Sequence, residues 1–307
     1  MLHGLVRDVR ETGPVLQVSE REGFPCLTAP LLSETGLVEH LFTTRLGGVS
    51  QGVYSSCNLS FARGDREEHV RENYRRVARG LCCRPEDIVA TKQTHTTNIR
   101  RVTMADKGKG VVRLADYDNV DGLMTDIPGI ALAAFTADCV PVCFVDTVNR
   151  AIGVVHSGWR GTVGQISCRL LQEMEEAYGS RPQDMTVAIG PSICRDCYEV
   201  SEDVADTFRK LLEGTEPIRR EIAASGVYYC GPDGRRGVVE AGREPGKYQL
   251  DLWLANLILL RRAGVSLSRI AVTDVCTCHN PELLFSHRAS RGKRGNLGAF
   301  IMLKEKE

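Results

Sequence analysis

A thiol at Cys139 and an imidazole at His156 sit at one end of two apolar, β-branched runs, Val140–Asp146 and Ala151–His156, joined by a short polar turn. Such a pattern predicts a β-hairpin. Paired residues of an antiparallel hairpin share a constant index sum, about 297 for a turn centred near 148 to 149. That sum sets Cys139 and His156 nearly opposite one another at the open end. A facing thiol and imidazole could form a metal site or a nucleophile–base pair. The plainer alternative is a buried thiol beside a strand-end histidine bonded to a carbonyl. The polar neighbours Asp138 and Ser157, and the glycine-rich turn that follows, weigh against it. His95, in the polar stretch KQTHTTN at 92–98, is the natural third member, although spacing alone does not bring it to Cys139. Two imidazoles and a thiolate make a tetrahedral Zn2+ shell with a fourth position open to water, whose pKa zinc lowers to about 7. The same trio also suits copper.

Other residues carry weaker signals. Gly158-Trp159-Arg160-Gly161-Thr162 precedes a helix, so glycines, free N–H groups and Arg160 could receive an anion. A packed turn with Arg160 paired to a carboxylate is an equal reading. Arg45 and Arg288 are further clamps for phosphate or carboxylate, although each alone reads as a surface charge. Asp138 could orient a histidine or act as a base, or cap its strand. Asp121-Gly122 is a turn signal, and Asp121 could face the cleft. Cys194-x-x-Cys197 and Cys276-x-Cys278-His279 lie far apart without the tight double spacing of a zinc ribbon, so a shared structural zinc site is disfavoured. P-loop, strand-linked GxGxxG, GxSxG, HExxH and nucleobase-deaminase zinc signatures are missing.

The elements that must position these residues mix strands, hairpins and helices, which predicts an α/β (α+β) fold with mixed sheets rather than a regular βαβ series. Strands are expected at 15–18, 25–28, 37–44, 88–91, 121–125, 130–136, 185–189, 269–275 and 299–303, besides the hairpin. Helices are expected over 66–81, 163–178, 201–212 and 250–263, the last amphipathic. Residues 105–119 read as an exposed connection, and 213–246 as mobile and peripheral. No strong domain boundary or internal repeat interrupts the 307 residues.

Composition narrows the functional classes. Lys+Arg and Asp+Glu number 39 each, for a net charge of zero, which argues against nucleic acid and membrane surfaces as partners. No apolar run is long enough to span a bilayer, and the charged start does not read as a signal peptide. The expected location is therefore the cytoplasm, with the 12 cysteines reduced.

Taken together, FTTRLGGVS (42–50), CNLSFARGDREEHVRENYRRV (57–77), KQTHTTNI (92–99), DGLMTD (121–126), TADCVPV (136–142), AIGVVHSGWRGT (151–162), AIGPSIC (188–194) with CYEV (197–200), QLDLWLANLILLRRAGV (249–265) and LFSHRAS (284–290) resemble the laccase-domain, YfiH/YlmD-like family. These stretches span nearly the whole chain in the family's order. The resemblance implies one compact α/β/β/α sandwich domain over 1–307 and a zinc site at His95, Cys139 and His156. It also implies phosphorolysis of inosine, guanosine, adenosine and 5′-methylthioadenosine, with deamination of adenosine. The partners would be purine nucleosides and phosphate, acting on a monomer or homodimer. Asp138 joins the three ligands as a catalytic candidate; Arg45, Asn58, Lys92, Gln93, Arg160 and Arg288 are expected to bind substrate or phosphate. A copper-dependent phenol oxidase is one alternative, although seven histidines without a His-x-His pair do not supply a multicopper set. Editing of a peptidoglycan precursor by a Cys/His or metal-dependent amidase is another. Where many members carry Thr-Gly-Arg, this chain has Arg294-Gly295-Asn296, so Arg288, Arg291 or Arg294 must replace a missing arginine.

Overall fold

Strands Val140–Asp146 (β8) and Ala151–Ser157 (β9) are buried along their whole length, because the sheet that contains them is covered on both faces. Val140, Val142, Phe144, Ala151 and Val155 join a core with helices, whereas Cys143, Val145, Ile152 and Val154 join a core with a second sheet. The two-residue period of a strand divides them in this way. Pro141 pairs with His156 and Val140 with Ser157, the register expected from the hairpin turn.

The computed structural model describes residues 4–7, 14–230 and 236–305. Most of the charged start, on which the expectation of no signal peptide rests, lies outside them. One sheet orders β1 (Gln17–Arg21), β2 (Phe24–Thr28), β3 (Val38–Thr43), β15 (Leu297–Leu303), β7 (Ala131–Thr136) and β4 (Ile88–Ala90). The other orders β14 (Ile270–Val272), β10 (Met185–Ile189), β8, β9, β6 (Gly122–Thr125) and β5 (Ile99–Arg101). Both are mixed: β4 is parallel to β7, β14 to β10 and β5 to β6, with antiparallel pairing elsewhere. A small third sheet, β11 (Glu199–Ser201), β13 (Lys247–Leu250) and β12 (Val239–Ala241), flanks them.

The helices are α1 (Pro30–Ser33), α2 (Glu67–Gly80), α3 (Trp159–Val163), α4 (Ile166–Tyr178), α5 (Glu202–Leu211), α6 (Glu216–Ser225), α7 (Leu252–Arg262) and α8 (His287–Ser290). Val70, Tyr74 and Val77 of α2 cover the outer face of the first sheet, and α4, α5, α6 and α7 pack over the second. The layers therefore run helix, sheet, sheet, helix. Each large apolar side chain fully buried between them stabilises the fold by about 1.5–3 kcal/mol.

Four expectations need correction. The helix predicted over 163–178 is two helices, because Gln165 adopts a left-handed φ of 57° between α3 and α4. Helix α7 is not amphipathic: every residue from Leu252 to Leu260 is buried, since α4 and α6 pack around it. The 105–119 segment is not simply exposed. Lys109 is buried, with its ammonium 2.8 Å from both Asp106 and Asp116. The stretch at 213–246 holds α6 and β12, and Tyr228, Cys230 and Val238 join the core; residues 231–235 lie outside the described residues.

Candidate metal centre and its cleft

The centre is assembled by a buried carboxylate. Asp121, at the entry to β6, is fully enclosed. Its Oδ2 accepts the backbone N–H groups of Thr94 and Thr96 at 3.0 Å each and the Thr96 hydroxyl at 2.9 Å. Its Oδ1 accepts the His95 N–H at 3.0 Å and the ring Nδ1–H of His156 at 2.8 Å. One side chain thus folds the 94–96 turn and orients the second histidine. His95 itself sits at a left-handed φ of 65°, a conformation costly for a residue with a Cβ and held here by those bonds. Burial pushes the Asp121 carboxyl up, but the bonds from His156, Thr94 and Thr96 outweigh it and hold it at about 2.

The result joins the three residues that spacing alone could not. The His95 and His156 rings lie 4.9 Å apart at 75°, and one donor atom from each of His95, Cys139 and His156 falls within 4.8 Å of the others. Because His156 commits Nδ1–H to Asp121, Nε2 is the ring nitrogen left to face a metal, which would displace its proton. Exposure rises from His156, which is buried, through Cys139 to His95, which is exposed. Burial raises the Cys139 thiol, yet His156 and His95 overcome this and lower it to about 6. Burial lowers His156, yet Cys139 and Asp121 lift it to about 9. The pair therefore favours thiolate, the form that binds metal or attacks carbon.

Gly158 completes the centre by what it lacks. A Cβ there would lie 2.9 Å from Cys139 Sγ and 3.2 Å from His95 Cδ2. The turn behind it is secured by Asn256 of α7, which accepts from Ser157 Oγ at 2.9 Å and donates to Thr162 Oγ1 at 3.2 Å. We expect Gly158→Ala to stay folded but to bind a metal at this cluster at least about tenfold more weakly, because the ligands must shift; calorimetric titration of the apo-protein measures this.

The centre opens into a cleft of about 880 Å3, a size suited to a small organic ligand. Phe61, Phe135 and the exposed Leu114 give its lining an apolar, aromatic part, and Phe61 stacks on Tyr74 with centroids 5.6 Å apart. Arg63 and Arg294 also line it. Arg294 is buried; its Nη1 bonds Gly295 O and Asn296 Oδ1, while its Nε has no hydrogen-bond partner among the described residues. Burial, with Arg63 nearby, pushes its guanidinium down to about 10. Two neighbouring cations and an unused buried donor are the kind of groups that receive an anion.

The other expected residues divide. Lys92 and Gln93 line the cleft, but Lys92 is paired with Asp118 at 2.6 Å and the Gln93 amide is bound to the Phe135 backbone. Asp138 borders the centre, where it accepts from the Thr277 hydroxyl at 2.6 Å and the Arg288 backbone N–H at 2.8 Å. Arg45, Asn58, Arg160 and Arg288 are not among the residues lining the cleft. Arg45 donates to the carbonyls of Ser55 and Pro281, Asn58 is buried against Asp65 and Asn296, and Arg288 binds the carbonyls of Cys197 and Glu199. Arg160 is exposed, 4.3 Å over the Trp159 ring, at the start of the five-residue α3. Arg294 is among the arginines expected to replace the missing one, whereas Arg63 is not, although it lies within the 57–77 stretch that carries the family resemblance. The disfavoured cysteine grouping also needs correction: Cys194, Cys197, Cys276 and His279 do converge.

A two-sheet α/β sandwich with a Cys–His cluster at the mouth of an arginine-bordered cleft defines a class, and comparison with known proteins gives its members. The chain belongs to the laccase-domain, YfiH/YlmD-like family: the family model described as multi-copper polyphenol oxidoreductase laccase matches residues 39–304. The purine nucleoside phosphorylase YlmD of Bacillus subtilis is 34% identical over 268 residues, 86% of this chain and 88% of the relative. Its counterpart from Geobacillus stearothermophilus is 37% identical over 265 residues, 86% of this chain and 89% of the relative. The crystal structure of YlmD from Geobacillus stearothermophilus superposes with a TM-score of 0.81 at 35% identity, covering 95% of this chain and all of that one. These relatives support an enzyme of the purine nucleoside phosphorylase type.

Proposed function

We propose that this chain is a purine nucleoside phosphorylase with a zinc ion held by His95, Cys139 and His156. The observation that carries it is the opening of a three-donor cluster into a cleft that offers both an apolar, aromatic wall and a buried arginine anion site. The donor set fits zinc: two imidazoles and a thiolate converge, and the carboxylate of Asp121 fixes one ring. Zinc bound there would supply a Lewis acid beside the reacting centre. Phe61, Phe135 and Leu114 would seat the purine. Arg294 and Arg63 would hold phosphate as the N9–C1′ bond breaks with oxocarbenium character and a phosphate oxygen bonds C1′; the purine leaves with the electron pair of that bond and takes up a proton from phosphate or solvent.

The proposal includes inosine, guanosine, adenosine and 5′-methylthioadenosine as substrates, and deamination of adenosine at the same centre. Arg294→Gln should raise the KM for phosphate at least about tenfold and leave zinc content unchanged. Initial-rate kinetics with inosine at varied phosphate check this; an unchanged phosphate KM would remove Arg294 from the proposal. Copper is the alternative metal, and oxygen uptake with a phenol tests that oxidase reading.

One observation favours a second reading, a metal-free thiol hydrolase. Cys139, His156 and Asp121 also line up as nucleophile, base and orienting carboxylate. An amide, such as that of a peptidoglycan precursor, would be its substrate. Activity that survives exhaustive chelation and is lost on alkylation of Cys139 would support this reading against the zinc one.

A further inference from the structure

We propose that Cys194, Cys197, Cys276 and His279 form a second, structural zinc site that fastens the wall of the catalytic cleft. The four come from two loops that leave neighbouring parallel strands, β10 and β14. Ser192 and Cys276 continue that pairing as a parallel bridge, so the loops stay in register past the strand ends. One donor atom from each of the four residues lies within 4.8 Å of all the others. Cys194 Sγ is 3.9 Å from His279 Nδ1. Zinc–sulfur and zinc–nitrogen bonds of ordinary length give tetrahedral edges of roughly 3.5–3.8 Å, so modest contraction closes the shell.

The surroundings are those of a thiolate knuckle. The Cys197 N–H donates to Cys194 O at 3.2 Å, closing a turn across the Cys-x-x-Cys pair, and the Cys194 N–H donates to Cys276 Sγ at 3.3 Å. Cys194 and Cys276 are buried and His279 is exposed, as expected of a closed site at the edge of a core. Unlike the His95, Cys139 and His156 cluster, it has four protein donors and needs no water to complete four-coordination, which marks it as structural rather than catalytic.

Its position explains what it would do. Thr277, between Cys276 and Cys278, donates to Asp138 Oδ1 at 2.6 Å, and the Ile193 N–H donates to Asp138 O at 3.0 Å. Asp138 immediately precedes Cys139. Trp253 Nε1 donates to Ser192 Oγ at 2.7 Å, tying the same loop to α7. A metal joining the two loops would therefore hold the backbone that presents Cys139, at a distance from the reacting atoms.

The test is zinc stoichiometry and cobalt spectroscopy on the full-length protein reconstituted under reducing conditions. Wild type should hold about two zinc ions per chain and Cys139→Ala about one. Adding Cys276→Ala to Cys139→Ala should remove the last, whereas adding Cys82→Ser, an exposed thiol, should not. Cobalt-loaded Cys139→Ala should show the intense thiolate charge-transfer and tetrahedral ligand-field bands of a three-sulfur site. Because this single variant leaves all four donors intact, the result does not depend on whether the Cys276 variants fold. A Cys139→Ala protein that takes up neither zinc nor cobalt, or a disulfide among Cys194, Cys197 and Cys276 persisting under reduction, would overturn the proposal. Loss of phosphorolysis would leave it standing, since metal content does not rest on the activity.

Discussion

Replacing Cys139 with alanine should reduce phosphorolysis of inosine by at least about a thousandfold while the protein remains folded. The thiolate is the only anionic donor of its cluster, and two neutral imidazoles hold zinc far less tightly than the trio. The structural cost is small by comparison. Removing one sulfur from the strand end leaves a void of about a methyl group's size, worth about 1 kcal/mol. Steady-state rates, zinc content and thermal melting, measured together, separate the two effects. If Cys139→Ala cleaved inosine at the wild-type rate, the cluster would not be the catalytic centre.

Asp121→Asn should be nearly as severe, through a different route. An amide keeps one acceptor oxygen and points an NH2 group at donors, so part of the set formed by Thr94, His95, Thr96 and His156 loses its partner. Breaking a buried, charge-assisted network of this kind costs about 3 kcal/mol. It also frees the His156 ring and the left-handed turn at His95, which should weaken zinc binding about 10- to 100-fold. The pH dependence has a definite sign. The Asp121 carboxyl is depressed from 3.8 to about 2 in the fold. Its contribution to stability is therefore fully present above the unfolded value and is lost as pH falls through that window. Denaturation of the zinc-free protein between pH 5 and 2, an interval of roughly the range set by these values, should show wild type losing stability relative to Asp121→Asn. A constant difference across that range would contradict the assignment.

The hairpin was legible in the sequence because its physics is local. Two β-branched arms and a short polar turn leave one register, and Pro141 opposite His156 follows from it. Most strands follow in the same way from apolar period and turn residues, whereas the layer order was implied only by the family resemblance. His95 was recognisable as chemistry but not placeable, since its position depends on a carboxylate 26 residues away in the chain. Asp121 read as a turn residue because nothing in Asp-Gly distinguishes a solvated turn from a buried anchor receiving backbone N–H groups. The surroundings of the arginines were illegible for a related reason. Arg45 and Arg288 are bonded to tertiary carbonyls and Arg160 lies over an aromatic ring. Packing buries Arg294 and leaves its Nε unsatisfied among the described residues, which sequence spacing does not encode. The split between α3 and α4 turns on one left-handed residue, Gln165, which helix periodicity passes over. The Cys194 and Cys276 clusters were separated by chain distance and reunited by the parallel pairing of β10 and β14.

The most direct test of the central claim is mass-spectrometric product analysis of inosine incubated with zinc-loaded protein, with and without phosphate. Hypoxanthine and ribose 1-phosphate should appear together only when phosphate is present, and both should vanish on chelation. Intact inosine under every condition, or hypoxanthine with free ribose at the same rate without phosphate, would contradict the account.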